Sequence, residues 1–182
     1  MKSTTLEAVS TPLRLFVYGT LKHGHSAHER LCAGALEVAP ASVCGRLYLH
    51  PTGYPVLRVP ARNVLAEATA DAAADLAAQA AADPTAEPWA PGWPLVAGEL
   101  LSFGNTAQRL AALDEYEGFV PDGSSLYRRV LVPIDAPGIA AARPSGLVAA
   151  WTYVAAAAMR GLQPIPDQSW PLRTPGPRGR SN

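Results

Sequence analysis

Two short stretches hold residue types that could do chemistry. The first is Leu15-Phe16-Val17-Tyr18-Gly19-Thr20-Leu21-Lys22, a run of β-formers that stops at a glycine. Gly19 frees the backbone and leaves neighbouring peptide N–H groups uncovered, so consecutive amides can converge on one anion. An ordinary glycine turn after a core strand is the competing reading. The second stretch is Leu113-Asp114-Glu115-Tyr116-Glu117-Gly118-Phe119, which sets Glu117 between aromatics at a helix end. Apolar surroundings disfavour the charged form of a carboxyl and move its pKa towards neutrality. A proton-shuttling glutamate needs that shift. Asp114, three residues earlier on the same helical face, is placed to cap or orient. The competing reading is a solvated acidic helix end. Glu99, inside a strand, is the rival acid, with an exposed edge position as its plain alternative.

Other chemistries find less support. His23, His25 and His28 crowd together, but their spacing is neither the i, i+4 pair of a helical zinc site nor a zinc-finger pattern, so no metal site is expected. Gly-x-Ser-x-Gly is absent, and Cys32 and Cys44 stand in structural-looking contexts. The glycine spacing fits neither a phosphate-binding loop nor a dinucleotide fingerprint, and no cofactor is expected. An amide nest and a lone acid suit a reaction in which the substrate supplies its own nucleophile. The protein then moves protons and stabilises an oxyanion.

The elements that must position these groups follow from the rest of the chain. With 182 residues, 48% of them hydrophobic and 16% charged, the composition is that of one globular domain. Fifteen basic residues balance fifteen acidic ones, which argues against a nucleic-acid footprint. Two cysteines make no disulfide framework, and free thiols in a reducing compartment are expected. Residues 1–12 have no apolar signal segment and read as a loose leader. The apolar run Gly146 to Met159 is too short to span a bilayer. A soluble cytoplasmic protein with no membrane partner is the expectation.

Glu29 to Ala35 suggests a short helix, Ala41 to Leu49 a strand, Pro51 to Pro55 a turn and Val56 to Val59 a further strand. Ala-rich Asn63 to Ala82 predicts a helix. Asp83 to Pro94, with four prolines and two tryptophans, is irregular, and Trp89 and Trp93 are expected to anchor it. Residues 61–94 thus read as an insertion in a domain spanning 13–162. Leu95 to Phe103, Leu126 to Ile134 and Gly146 to Val154 predict strands, and Thr106 to Asp114 a helix terminated by Gly118. Arg160 onward suggests a short helix or loop, and 163–182 a Pro/Arg-rich tail. Strands without βαβ alternation point to an α+β fold, a small mixed or antiparallel β-barrel with flanking helices.

At this point the residues reach a resemblance. Phe16 to Lys22, with Gly24 and His28 following, resembles the opening signature of the gamma-glutamylcyclotransferase-like family, which includes gamma-glutamylamine cyclotransferases and antibiotic-deprotecting relatives. Leu113 to Phe119 is similar to the family's second signature. Gly45-Arg46-Leu47-Tyr48, Tyr54-Pro55 and Tyr127-Arg128-Arg129-Val130 fall in the expected order. The resemblance covers about residues 14–60 and 95–154 and implies the small barrel fold. It implies that Tyr18, Gly19, Thr20 and Leu21 bind a small-molecule γ-glutamyl substrate, with Tyr48, Tyr54 and Tyr127 around the pocket. Glu117 is implied as general acid/base, releasing 5-oxoproline and an amine without a metal. The leaving amine and the oligomeric state stay open. The alternatives are a non-catalytic member of the same fold that binds small molecules or proteins, and a histidine-cluster metalloenzyme.

Overall fold

The computed structural model describes residues 11–85, 89–104, 106–139, 146–157 and 159–171. Five strands form a closed barrel: β1 (Leu13–Val17), β2 (Glu37–Cys44), β6 (Leu95–Phe103), β7 (Tyr127–Asp135) and β8 (Leu147–Ala155). Around the barrel the order is β2-β6-β1-β8-β7, and β7 returns to β2 through Ser42↔Asp135 and Val43↔Ile134. The β1–β8 pairing is parallel, at Leu15↔Trp151, and the other barrel pairings are antiparallel. The sheet is therefore mixed, and closure leaves its strands few free edges.

β7 and β8 read as near-continuous apolar runs because both of their faces are buried. Phe16, Leu100, Val130 and Ala150 pack in one core cluster, and their chain neighbours Leu15, Leu101, Leu131 and Trp151 pack in a second. Helix α3 (Thr106–Glu117) lays Leu110 and Leu113 into that second cluster. Truncating a fully buried leucine such as Leu113 to alanine costs about 2–5 kcal/mol. A smaller sheet of β3 (Arg46–Leu49), β4 (Pro55–Arg58) and β9 (Gln163–Pro164) lies beside the barrel in the order β4-β3-β9.

Several elements differ from their sequence expectation. The first helix, α1, spans Ser26–Leu31 and starts earlier than Glu29. The strand expected over Ala41 to Leu49 divides at Gly45 into β2 and β3, which belong to different sheets. The long helix expected from Asn63 is replaced by a 3-10 turn (Ala61–Asn63), the short strand β5 (Ala66–Glu67) and α2 (Ala72–Ala81). Pairing overrides the helix propensity of the alanines there, because Leu65 N–H donates to Leu131 O and Ala68 N–H to Arg129 O. Asp71 then starts α2 as its N-cap, accepting from the amides of Ala73 and Ala74. Trp93 lies beneath the Arg46 guanidinium, 5.2 Å from ring centroid to Cζ, while Trp89 is half-buried. Within the stretch expected to be a loop or tail, residues 163–164 pair with β3. Residues 1–10 of the expected leader and 172–182 of the expected tail lie outside the described residues. Among the described residues no helix is long and apolar enough to cross a membrane.

Candidate active site

Strand β1 ends at Val17, and the chain turns at once, with Lys22 N–H closing on Gly19 O at 3.1 Å. A side chain at residue 19 would not fit, since a Cβ there would lie 2.9 Å from Pro55 Cγ. The turn therefore nests against the start of β4. His28, buried on α1, braces it from behind by donating from Nδ1 to Leu21 O at 2.8 Å. Among the described residues the amides of Gly19, Thr20 and Leu21 have no hydrogen-bond acceptor. Such uncommitted donors make an anion site when they face a cavity.

They do face one. A cavity of about 240 Å³ opens between this turn and the end of α3. That is somewhat smaller than the roughly 300–1,000 Å³ of a site for drug-sized ligands, so it suits a small polar head. Tyr18 to Leu21 form one wall, Tyr116 and Glu117 face them, and Tyr54, Pro55, Tyr127 and Tyr153 supply the remaining sides. Thr20 Oγ1 and Tyr116 Oη meet at 3.3 Å and link the two principal walls.

Glu117 is the last residue of α3, and Gly118 ends the helix at φ +63°, a conformation that glycine adopts without strain. Phe119 N–H caps back onto Asp114 O at 2.9 Å. Half-buried at the cavity wall, the Glu117 carboxyl has no hydrogen bond or ion pair among the described residues. Burial, with no compensating partner, pushes its pKa up to about 7. The phenols of Tyr18, Tyr127 and Tyr153 are raised above their ordinary value, chiefly by burial, so they are neutral at physiological pH. Tyr18 Oη is already committed, donating to Tyr153 O at 2.9 Å.

Behind the cavity, Arg129 ties the helix down. Its Nε and Nη2 donate to the two oxygens of Asp114 at 2.9 and 3.2 Å, and Nη2 also donates to Asp75 Oδ2 at 2.9 Å. Tyr153 Oη adds a 2.7 Å bond to Asp114 Oδ1. The guanidinium lies between the rings of Phe119 and Trp151, 5.3 and 5.1 Å from their centroids. Burial raises the Asp114 pKa above its usual value, against the opposing pull of Arg129.

Of the residues singled out by sequence, Tyr18, Gly19, Thr20, Leu21, Tyr54, Glu117 and Tyr127 share the cavity wall. Tyr48 does not line it. Strand alternation sends Leu47 and Leu49 to the main core, and the Tyr48 ring packs instead under Arg58, 5.6 Å from centroid to Cζ. Glu99 is no edge residue, for β6 lies between β2 and β1; its carboxylate accepts from His23 N–H at 2.7 Å. The histidines gather only loosely, His23 and His28 meeting edge to face at 5.4 Å. Among the described residues no group of three or more His, Cys, Asp or Glu side chains could hold a metal. Sequence reading missed Tyr153 and Tyr116 as wall residues and Asp75 as a partner of Arg129. A period-two count along β8 could have found Tyr153, as it shares a face with Trp151 on the helix-covered side.

The family model described as gamma-glutamyl cyclotransferase, AIG2-like, matches residues 15–79 and 65–172, and the chain belongs to that family. Among solved structures it is similar to an AIG2-like protein from Mus musculus, at 19% identity and TM-score 0.51, with 93% of each chain covered. YkqA from Bacillus subtilis is similar at 16% identity and TM-score 0.50, over 87% of this chain but only 39% of that one. Such distant likenesses support the barrel fold alone. No curated protein matches the chain at a significant level.

Proposed function

We propose that the protein is a γ-glutamyl cyclotransferase that releases 5-oxoproline and a free amine. The observation that carries this reading is the Glu117 carboxyl set across a small cavity from the amides of Gly19, Thr20 and Leu21, none of them with a partner among the described residues. Family membership supports it independently.

The ionised Glu117 takes a proton from the substrate's α-ammonium group. The freed amine attacks the substrate's own γ-carbonyl carbon and closes a five-membered ring. Negative charge moves to the carbonyl oxygen of the tetrahedral intermediate, and the backbone amides are the donors available to substrate oxygen anions. Protonated Glu117 then delivers its proton to the departing nitrogen as the C–N bond breaks, and the ring nitrogen's surplus proton passes to the released amine, which leaves as its ammonium ion. An ordinary glutamate near pKa ~4.3 is over three units too acidic for an α-amine near ~8, and each unit costs about 1.4 kcal/mol. At about 7, Glu117 narrows that gap to roughly one unit. Holding the extended substrate folded for internal attack supplies a large share of the remaining acceleration, up to about 7–11 kcal/mol.

The test is a panel of γ-glutamyl-amines and γ-glutamyl-dipeptides incubated with the protein and followed by mass spectrometry. Appearance of 5-oxoproline from at least one member is expected, and its absence from all of them overturns the reading.

A further inference from the structure

A second cavity, of about 580 Å³, is lined from β4, β5, β7 and β8 and shares no lining residue with the candidate active site. Strand alternation separates the two: Tyr127 faces the first cavity, and its neighbour Arg128 faces this one. The size falls within the roughly 300–1,000 Å³ of small-molecule sites. Val59, Val64 and Val154 give it an apolar side, and Trp93 an aromatic one. The charged side chains in its wall, among the described residues, are Arg58, Arg128 and Glu67. Arg128 donates to both oxygens of Glu67 through Nε and Nη2, so those two charges meet each other. Half-buried Arg58 has no such partner.

A second cation stands beside it. Arg46 and Arg58 lie directly opposite in the antiparallel pair β3–β4, so their side chains leave the same face of that sheet. Like charges placed in this way repel. Among the described residues no carboxylate reaches either guanidinium. Each lies over an aromatic ring instead, Arg46 over the lining residue Trp93 at 5.2 Å and Arg58 over Tyr48 at 5.6 Å. Each also donates from Nη2 to a carbonyl, Arg46 to Gly92 O at 3.2 Å and Arg58 to Met159 O at 3.3 Å. Stacking occupies the face of a guanidinium and leaves the remaining N–H groups along its edge for an acceptor. The whole chain has fifteen basic and fifteen acidic residues, so this unmatched pair is a local excess of positive charge. Phosphate oxygens fit a guanidinium edge, and a doubly charged head matches two cations.

We infer that this second cavity binds a phosphomonoester with an apolar body. Arg58, with Arg46 across the strand pair, holds the phosphate, and the body lies against Trp93 and the three valines. The inference stands on this cavity alone and does not depend on the cyclotransferase reading.

An NMR titration of the full-length, nitrogen-15-labelled protein with phenyl phosphate tests it, at about pH 8 where the phosphate is doubly charged. Saturable shifts are expected at the Trp93 indole N–H, a signal assigned by its loss in Trp93→Phe. Affinity should exceed that for benzoate and for inorganic phosphate by about tenfold or more, since benzoate brings one charge and inorganic phosphate no apolar body. Arg58→Gln should weaken binding about tenfold or more, and Arg46→Gln a few-fold. Arg58→Lys keeps the charge and should lose less than Arg58→Gln. Equal losses in those two variants overturn the charge argument. Equal affinity for benzoate overturns the doubly charged head, and equal affinity for inorganic phosphate overturns the apolar subsite. Shifts confined to the amides of Gly19, Thr20 and Leu21, or no saturable shift at all, overturn the site itself.

Discussion

Asp114 and Glu117 stand three residues apart on α3 and burial raises the pKa of both, yet the ground behind the helix and the cavity before it offer a carboxyl different partners. Asp114 receives three donors, two from Arg129 and one from Tyr153, and its charge serves to fasten the helix to β7 and β8. Glu117 receives none among the described residues, and burial alone governs its proton affinity. Two acids on one helical face thus differ in their surroundings, one fastening the helix and the other left without a partner among the described residues, as the proposed acid/base role requires.

The largest effect expected is loss of turnover in Glu117→Gln, by about 10²–10⁴-fold, with an unchanged circular dichroism spectrum. Full activity in that variant would dissolve the division of labour. Next is Arg129→Ala, which strands Asp75 and Asp114 without their shared cation in a buried setting. Denaturant unfolding should show a loss of about 3–5 kcal/mol. A loss below about 1 kcal/mol would mean the network does not fasten the helix.

The acid limb of kcat/KM should be centred near the Glu117 value of about 7, activity rising as the carboxyl ionises and falling about tenfold per unit below it. A limb near pH 4 would sink the idea of a poised acid. A smaller effect concerns stability. The folded pKa of Glu117 is raised, so the native state binds more protons than the unfolded chain between the ordinary carboxyl value and about 7. Ionising this residue therefore costs stability as pH rises through that window. Glu117→Gln should stabilise the protein at pH 8 relative to pH 4 by roughly 1–2 kcal/mol, allowing for the water that reaches the carboxyl. Unfolding curves at the two pH values measure it. The smallest change is expected for Glu99→Gln, which weakens the bond to His23 N–H by about 1 kcal/mol and leaves turnover within a few-fold of wild type.

Legibility in the sequence followed the range of the forces involved. Leu95 to Phe103 forms its strand with the bounds expected, and α3 ends at Gly118, because apolar runs and a terminating glycine are local signals. The cavity-facing turn and Glu117 were legible from residue type and from the order of four short motifs. The replaced helix over Asn63 to Ala82 was not, since two backbone bonds to β7 decide against what the alanines favour. Nor could the chain order reveal Asp75 meeting Arg129 across 54 positions, or residues 163–164 joining β3. Tyr48 was misplaced because a strand's alternation is read correctly only once its sheet is known.

Closure of the barrel hangs on little: β2 and β7 join at two residue pairs, whereas β7 and β8 join at nine. That narrow join lies at the Asp135 end of β7, some seven residues or about 23 Å along the strand from Tyr127. The closing seam and the cavity wall at Tyr127 therefore lie at opposite ends of one strand.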